Sequence, residues 1–84
     1  MTRLLTQQDI GRVIDVRTAI RVVREAFKAI ARGEAVMPPK VHLPLSRDSD
    51  FRAMPAWLKR PSVAGLKWVN VHPHNPKRGL PTVM

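Results

Sequence analysis

An α+β arrangement, with two helices leading into a few short strands, is what this 84-residue sequence predicts. Three observations carry the prediction. Apolar residues in the first third recur at helical spacing. All eight prolines fall between Pro38 and Pro81. Several of the stretches among them follow the two-residue apolar alternation of strands. Helices first and strands after, joined by short loops, imply a layered α+β unit, with helices over about 7–33 and three to four strands over about 40–84.

Each element has its local reason. Thr6 with Asp9 three residues on forms a capping box, with Asp in place of the usual Glu, ahead of an apolar face of Ile10, Val13 and Ile14. Asp15 caps a second helix whose stripe is Val16, Ala19, Ile20, Val23, Phe27 and Ile30. Arg17, Arg21, Arg24 and Lys28 hold its other side, and Gly33 ends it. Pro38-Pro39 then forbids further helix. The segments "KVHLPL", "FRAMPAWL" and "VAGLKWVNV" read as strands, "HPHNPKRG" as a turn, and "LPTVM" as the start of a fourth strand. The polar "SRDSD", which contains Asp48 and Asp50, reads as a turn.

Composition bounds the function. A chain this short buries only about 60–65% of its unfolded surface. It has no cysteine, so neither a disulfide nor a thiolate metal site can add stability. No stretch approaches the ~20 apolar residues that span a bilayer, and the opening "MTRLLTQQDI" lacks the apolar run of a signal peptide, so a soluble cytoplasmic protein is expected. The net charge is +9, but the 15 basic residues are dispersed without a run of three. Such a balance fits either half of a larger protein or, as the alternative, a small basic module for nucleic acid or an acidic partner.

Lys67 is the most informative residue. It lies inside the apolar run "VAGLKWVNV", both faces of which are largely apolar, so the strand is expected to be central and covered on both sides. An ammonium there is costly unless an anion meets it; the plainer alternative is an edge position from which the long side chain reaches water. None of the six acids, Asp9, Asp15, Glu25, Glu34, Asp48 and Asp50, reads as its partner, which points to a ligand carboxylate. Lys40, after the rigid Pro38-Pro39, and Arg52 are further candidates to bind it, set against the plainer reading of each as a surface cation. His42, His72 and His74 lack a convincing third ligand, so no metal is expected. There is no P-loop and no glycine-rich dinucleotide fingerprint.

The motifs "VMPPK", "MPA", "GLKWV" and "NPKRGLPTV", in that order and spacing, resemble the ornithine cyclodeaminase and mu-crystallin family, which also contains archaeal-type alanine dehydrogenases. The likeness runs from Leu5 to Val83. It implies that residues 1–84 are the opening part of a discontinuous substrate-binding and dimerisation domain, incomplete here. The family's Rossmann domain, with its dinucleotide fingerprint, would lie beyond Met84. By the same resemblance Lys67 matches the active-site lysine, Lys40 a basic position (often arginine) that holds the substrate carboxylate, Arg52 a basic site of some members, and Thr82 a residue near the nicotinamide end of the cofactor. The parent would be an NAD- or NADP-dependent homodimer acting on an amino or cyclic imino acid, as a lyase or an oxidoreductase. The 84 residues alone are expected to bind no cofactor and to be inactive, and the resemblance makes nucleic acid the lesser reading.

Overall fold

The computed structural model describes all 84 residues, Met1–Met84. Two helices, α1 (Gln7–Val13) and α2 (Val16–Ala31), precede four strands: β1 (Ala35–Val36), β2 (Val41–Pro44), β3 (Asp50–Leu58) and β4 (Val63–Val71). A 3₁₀ turn (Asn75–Arg78) follows. The helix boundaries follow from side-chain chemistry. Thr6 Oγ1 accepts the Asp9 N–H at 3.1 Å while Asp9 Oδ2 accepts the Thr6 N–H at 2.9 Å, closing the capping box. Asp15 Oδ1 accepts the Thr18 N–H at 2.7 Å. Gly33 takes the left-handed φ of 70° that ends α2, and the Gly33 and Glu34 N–H groups donate to Ile30 and Ala29 carbonyls at 3.1 and 2.9 Å, a Schellman closure.

The sheet is antiparallel throughout, and β3 is its centre. One edge of β3 carries β2 and β1 end to end; the other carries β4 along its full length. Val36 pairs with Trp57 and Val41 with Ala53. Four residues, Met37 to Lys40, therefore stand against three, Met54 to Ala56, which makes a one-residue bulge. Prolines accumulate there because a bulge asks fewer ladder donors of the chain: Pro38 and Pro39 lie on the bulged segment and Pro55 opposite them.

Strand β1 had no counterpart among the expected strands. It is two residues long and is held from outside, by Leu58 and Trp57 across the ladder. The expected fourth strand at "LPTVM" is reduced to one antiparallel bridge, Val71 with Val83, although the Asn70–Met84 and His72–Thr82 backbone bonds extend it. Strand β4 is also not central. Beyond β3 its only neighbour is this terminal stretch, and Lys67 is exposed. The cover stops short of it because α2 lies over the far end of that sheet face. Ala26 and Ile30 share a cleft of about 300 Å³ with Ala35, Ala56, Leu58, Val63 and Gly65.

Small residues set that docking. Val22, Ala26 and Ala29 turn toward Leu58 and Val63, and Ala29 is the one buried residue of the chain. Most of the longer apolar stripe, Val16, Ala19, Ile20, Val23 and Phe27, faces outward, with Phe27 68% exposed. The opposite sheet face is likewise open: Val41, Leu43, Leu66 and Trp68 are each more than half exposed. Within these 84 residues the helical and sheet layers share almost no core.

Candidate functional site

Alternation in β3 puts Asp50, Arg52 and Met54 on one face of the sheet. Cross-strand partners share a face, so the register adds His42 (opposite Arg52) from β2 and Lys67 (opposite Met54) from β4. Lys40, the residue just before β2, comes beside Met54 as well. Lys40, Met54, Met37, Pro38 and Pro39 line a hollow of about 390 Å³ at the bulge. Met54 is thus flanked by a lysine on each side. Directly opposed side chains of this kind stand about 5 Å apart at Cβ and diagonal ones about 7–8 Å, which brings Arg52 within reach of the same small ligand as Lys67.

The three cations differ in what holds them. Lys67 and Lys40 take part in no hydrogen bond or ion pair, and both are exposed. Arg52 is gripped: its Nε donates to Asp50 Oδ1 and its Nη2 to Asp50 Oδ2, each at 3.0 Å. His42 Nε2 lies 3.0 Å from the same Asp50 Oδ2. The Asp50 side chain is only 16% exposed, against 35% for Arg52 and 51% for His42. The Arg52 fork, aided by His42, holds the Asp50 carboxyl below the usual aspartate range despite the opposing effect of burial.

Asp50 is therefore no turn residue. It opens β3, paired with Pro44 on one side and Val71 on the other, and it supplies the acidic partner to Arg52 that sequence reasoning did not find. The signal was present: Asp50 and Arg52 are separated by two positions, the spacing that puts opposite charges side by side on one strand face. Thr82 is not brought to the cluster. Its carbonyl accepts the His72 N–H at 2.7 Å, at the far end of β4 from Lys67. His74 meets Asp48 at 3.2 Å on the surface, and His72 lies edge-on to Phe51. No three His, Cys, Asp or Glu side chains gather as a metal site. Every strand pair is antiparallel, and no glycine-rich turn leads from a strand into a helix.

Residues 1–84 match the ornithine cyclodeaminase/mu-crystallin family. The alanine dehydrogenase of Archaeoglobus fulgidus is 52% identical over 83 residues, which are 99% of this chain and 25% of that protein. A nodulation efficiency protein of Rhizobium meliloti is 29% identical over 82 residues, 96% of this chain and 26% of that one. Two solved structures superpose well. An archaeal alanine dehydrogenase dimer with bound NAD gives a TM-score of 0.83 at 52% identity, covering 95% of this chain and 24% of its own. The Δ1-pyrroline-2-carboxylate reductase of Thermococcus litoralis, in complex with NADH and L-proline, gives 0.85 at 28% identity, covering 94% and 25%. The chain thus spans about a quarter of the length of the relatives it matches.

Proposed function

The chain belongs to the ornithine cyclodeaminase/mu-crystallin family, and from that premise we propose that it forms part of the substrate-binding and dimerisation domain of an NAD- or NADP-dependent enzyme. The observation that carries the reading is the gathering of Lys40, Arg52 and Lys67 around Met54 on one sheet face, at a bulge. The substrate is an amino acid or cyclic imino acid, an anion at its carboxylate, and the reaction is hydride exchange at its α-carbon. The nicotinamide group supplies or takes that hydride. These residues carry no glycine-rich dinucleotide fingerprint, so apart from Thr82 the part we assign them lies with the substrate.

Lys40 and Arg52 hold the carboxylate, Lys40 as a point charge and Arg52 through its planar fork. Lys67, mounted on a strand directly across Met54, presents its ammonium to the substrate nitrogen or the carbon it joins. There it polarises the C–N bond or shuttles a proton. We assign Thr82 to the nicotinamide end, on the family resemblance alone. The open sheet face with Leu66 and Trp68 supports pairing with a second copy, as does the dimer among the related structures. No helix is long and apolar enough to cross a membrane, which accords with the cytoplasmic location we propose.

The test is turnover. The complete protein that carries these residues should oxidise alanine or proline with NAD or NADP, or reduce pyrroline-2-carboxylate with the reduced cofactor, and the 84-residue chain alone should do neither. Absence of cofactor-dependent turnover with a panel of amino and imino acids would overturn the reading. So would activity in the isolated 84 residues.

A further inference from the structure

Arginine offers two bidentate edges, and in Arg52 one of them is already occupied. Nε and Nη2 face the two oxygens of Asp50 at 3.0 Å each. The end-on edge, formed by Nη1 and the second N–H of Nη2, makes no bond within the chain. Two parallel N–H groups on one edge match a second carboxylate. The arrangement is tied down from a neighbouring strand, where His42 lies 3.0 Å from Asp50 Oδ2. It is also sheltered, since Asp50 is the least exposed member of the cluster.

We propose that Asp50 is a positioning residue, which locks the Arg52 guanidinium so that its free edge is presented to the substrate carboxylate, with His42 steadying Asp50 from β2. This rests on the amino-acid reading above. An unheld arginine samples many rotamers and must give them up on binding, whereas a held one has already done so. A competing possibility is that Asp50 is a rival, occupying Arg52 until substrate displaces it. The two make opposite predictions. Charges facing Asp50 come from Arg52 on its own strand and His42 on β2, while β4 presents only Val71 there.

The test uses the complete enzyme and its best amino-acid substrate. Asp50→Asn keeps the shape and loses the charge that holds the fork. Its KM is expected to rise roughly tenfold, as for a weakened charge-assisted pair, with kcat within about twofold. Arg52→Lys keeps the charge and loses both edges. It should raise KM similarly, and adding Asp50→Asn to it should change nothing more, since Asp50 acts only through Arg52. Removing the carboxylate should also flatten the acid limb of the KM–pH profile, which a merely structural role would not do.

A fall in KM for Asp50→Asn would show a rival and overturn the proposal. So would an unchanged KM, or additive losses in the double variant. Should Asp50→Asn fail to fold, Asp50→Glu carries the test: it retains the charge and is expected to keep KM within about threefold. If Asp50→Glu instead raises KM as far as Arg52→Lys does, the proposal is overturned. An unmodified enzyme that turns over no amino or imino acid overturns the underlying reading as well, which separates that failure from a silent Asp50.

Discussion

Replacing Lys67 by methionine should separate folding from binding. The substitution keeps most of the aliphatic stem beside Met54 and removes only the ammonium. In the structure that ammonium meets no carboxylate and no carbonyl, and the side chain is exposed. Loss of a charge with no partner at the surface changes stability by within about 0.5 kcal/mol. A hydrogen bond to a charged ligand group is worth about 1.5–3 kcal/mol. At 1.4 kcal/mol per tenfold, the dissociation constant of the substrate should therefore rise roughly ten- to 150-fold. The assay is calorimetric titration of the complete enzyme with its amino-acid substrate, with thermal unfolding followed in parallel. Lys77→Met is the control, since it makes the same change in net charge on the 3₁₀ turn, away from the cluster. The reasoning fails if Lys67→Met binds as tightly as the parent, if its melting temperature falls along with its affinity, or if the control weakens binding equally.

Further outcomes follow from other parts of the molecule. Lys40→Arg restores a bidentate fork at the hollow and should tighten carboxylate binding several-fold, read in the same titration. Asp9, Asp15 and Asp50 all have carboxyls held below the ordinary aspartate value, Asp9 by its bonds with Thr6, Asp15 by those with Thr18 and Asp50 chiefly by Arg52. Groups lowered in the folded state stabilise it above their unfolded value and lose that contribution as pH falls through the folded value. The melting temperature should hold from neutrality to about pH 5 and drop below about pH 4, where unfolded aspartates protonate. Asp50→Asn should remove part of that drop. Leu66→Asp puts a charge on the open sheet face and should convert a dimer to a monomer in sedimentation analysis; an unchanged dimer would place pairing elsewhere.

What could be read directly from the residues was the chemistry of short range. Thr6, Asp9, Asp15 and Gly33 act on backbone groups within a few positions, and their caps form as their spacing implies. The segments of β2, β3 and β4 were legible because alternation is a property of the strand itself. Strand β1 was not, because Ala35 and Val36 have no pattern of their own and are strand only by virtue of Leu58 and Trp57. Asp50 was hidden by its neighbours: a run of serine, arginine and aspartate looks like a turn, and only the pairing with Pro44 and Val71 shows where the turn stops. The cover expected over Lys67 depended on which sheet face α2 meets and how far along. Ala26 and Ala29 decide that, not the more conspicuous stripe from Val16 to Phe27.

The void beside Lys40 is kept open by a count. Were Met37 to Lys40 one residue shorter, three would face three, and β1 and β2 could zip into a continuous ribbon along β3 with every cross-strand partner retained. Lys40 would still precede Val41 beside Met54, yet the backbone would run where the hollow now lies. Pro38 and Pro39, which have no N–H to offer such a ribbon, resist it even at the present length. The segment is therefore sensitive to deletion in a way that it is not to most exchanges of side chain, and a single lost codon there would erase the room for a ligand while leaving each charge in place.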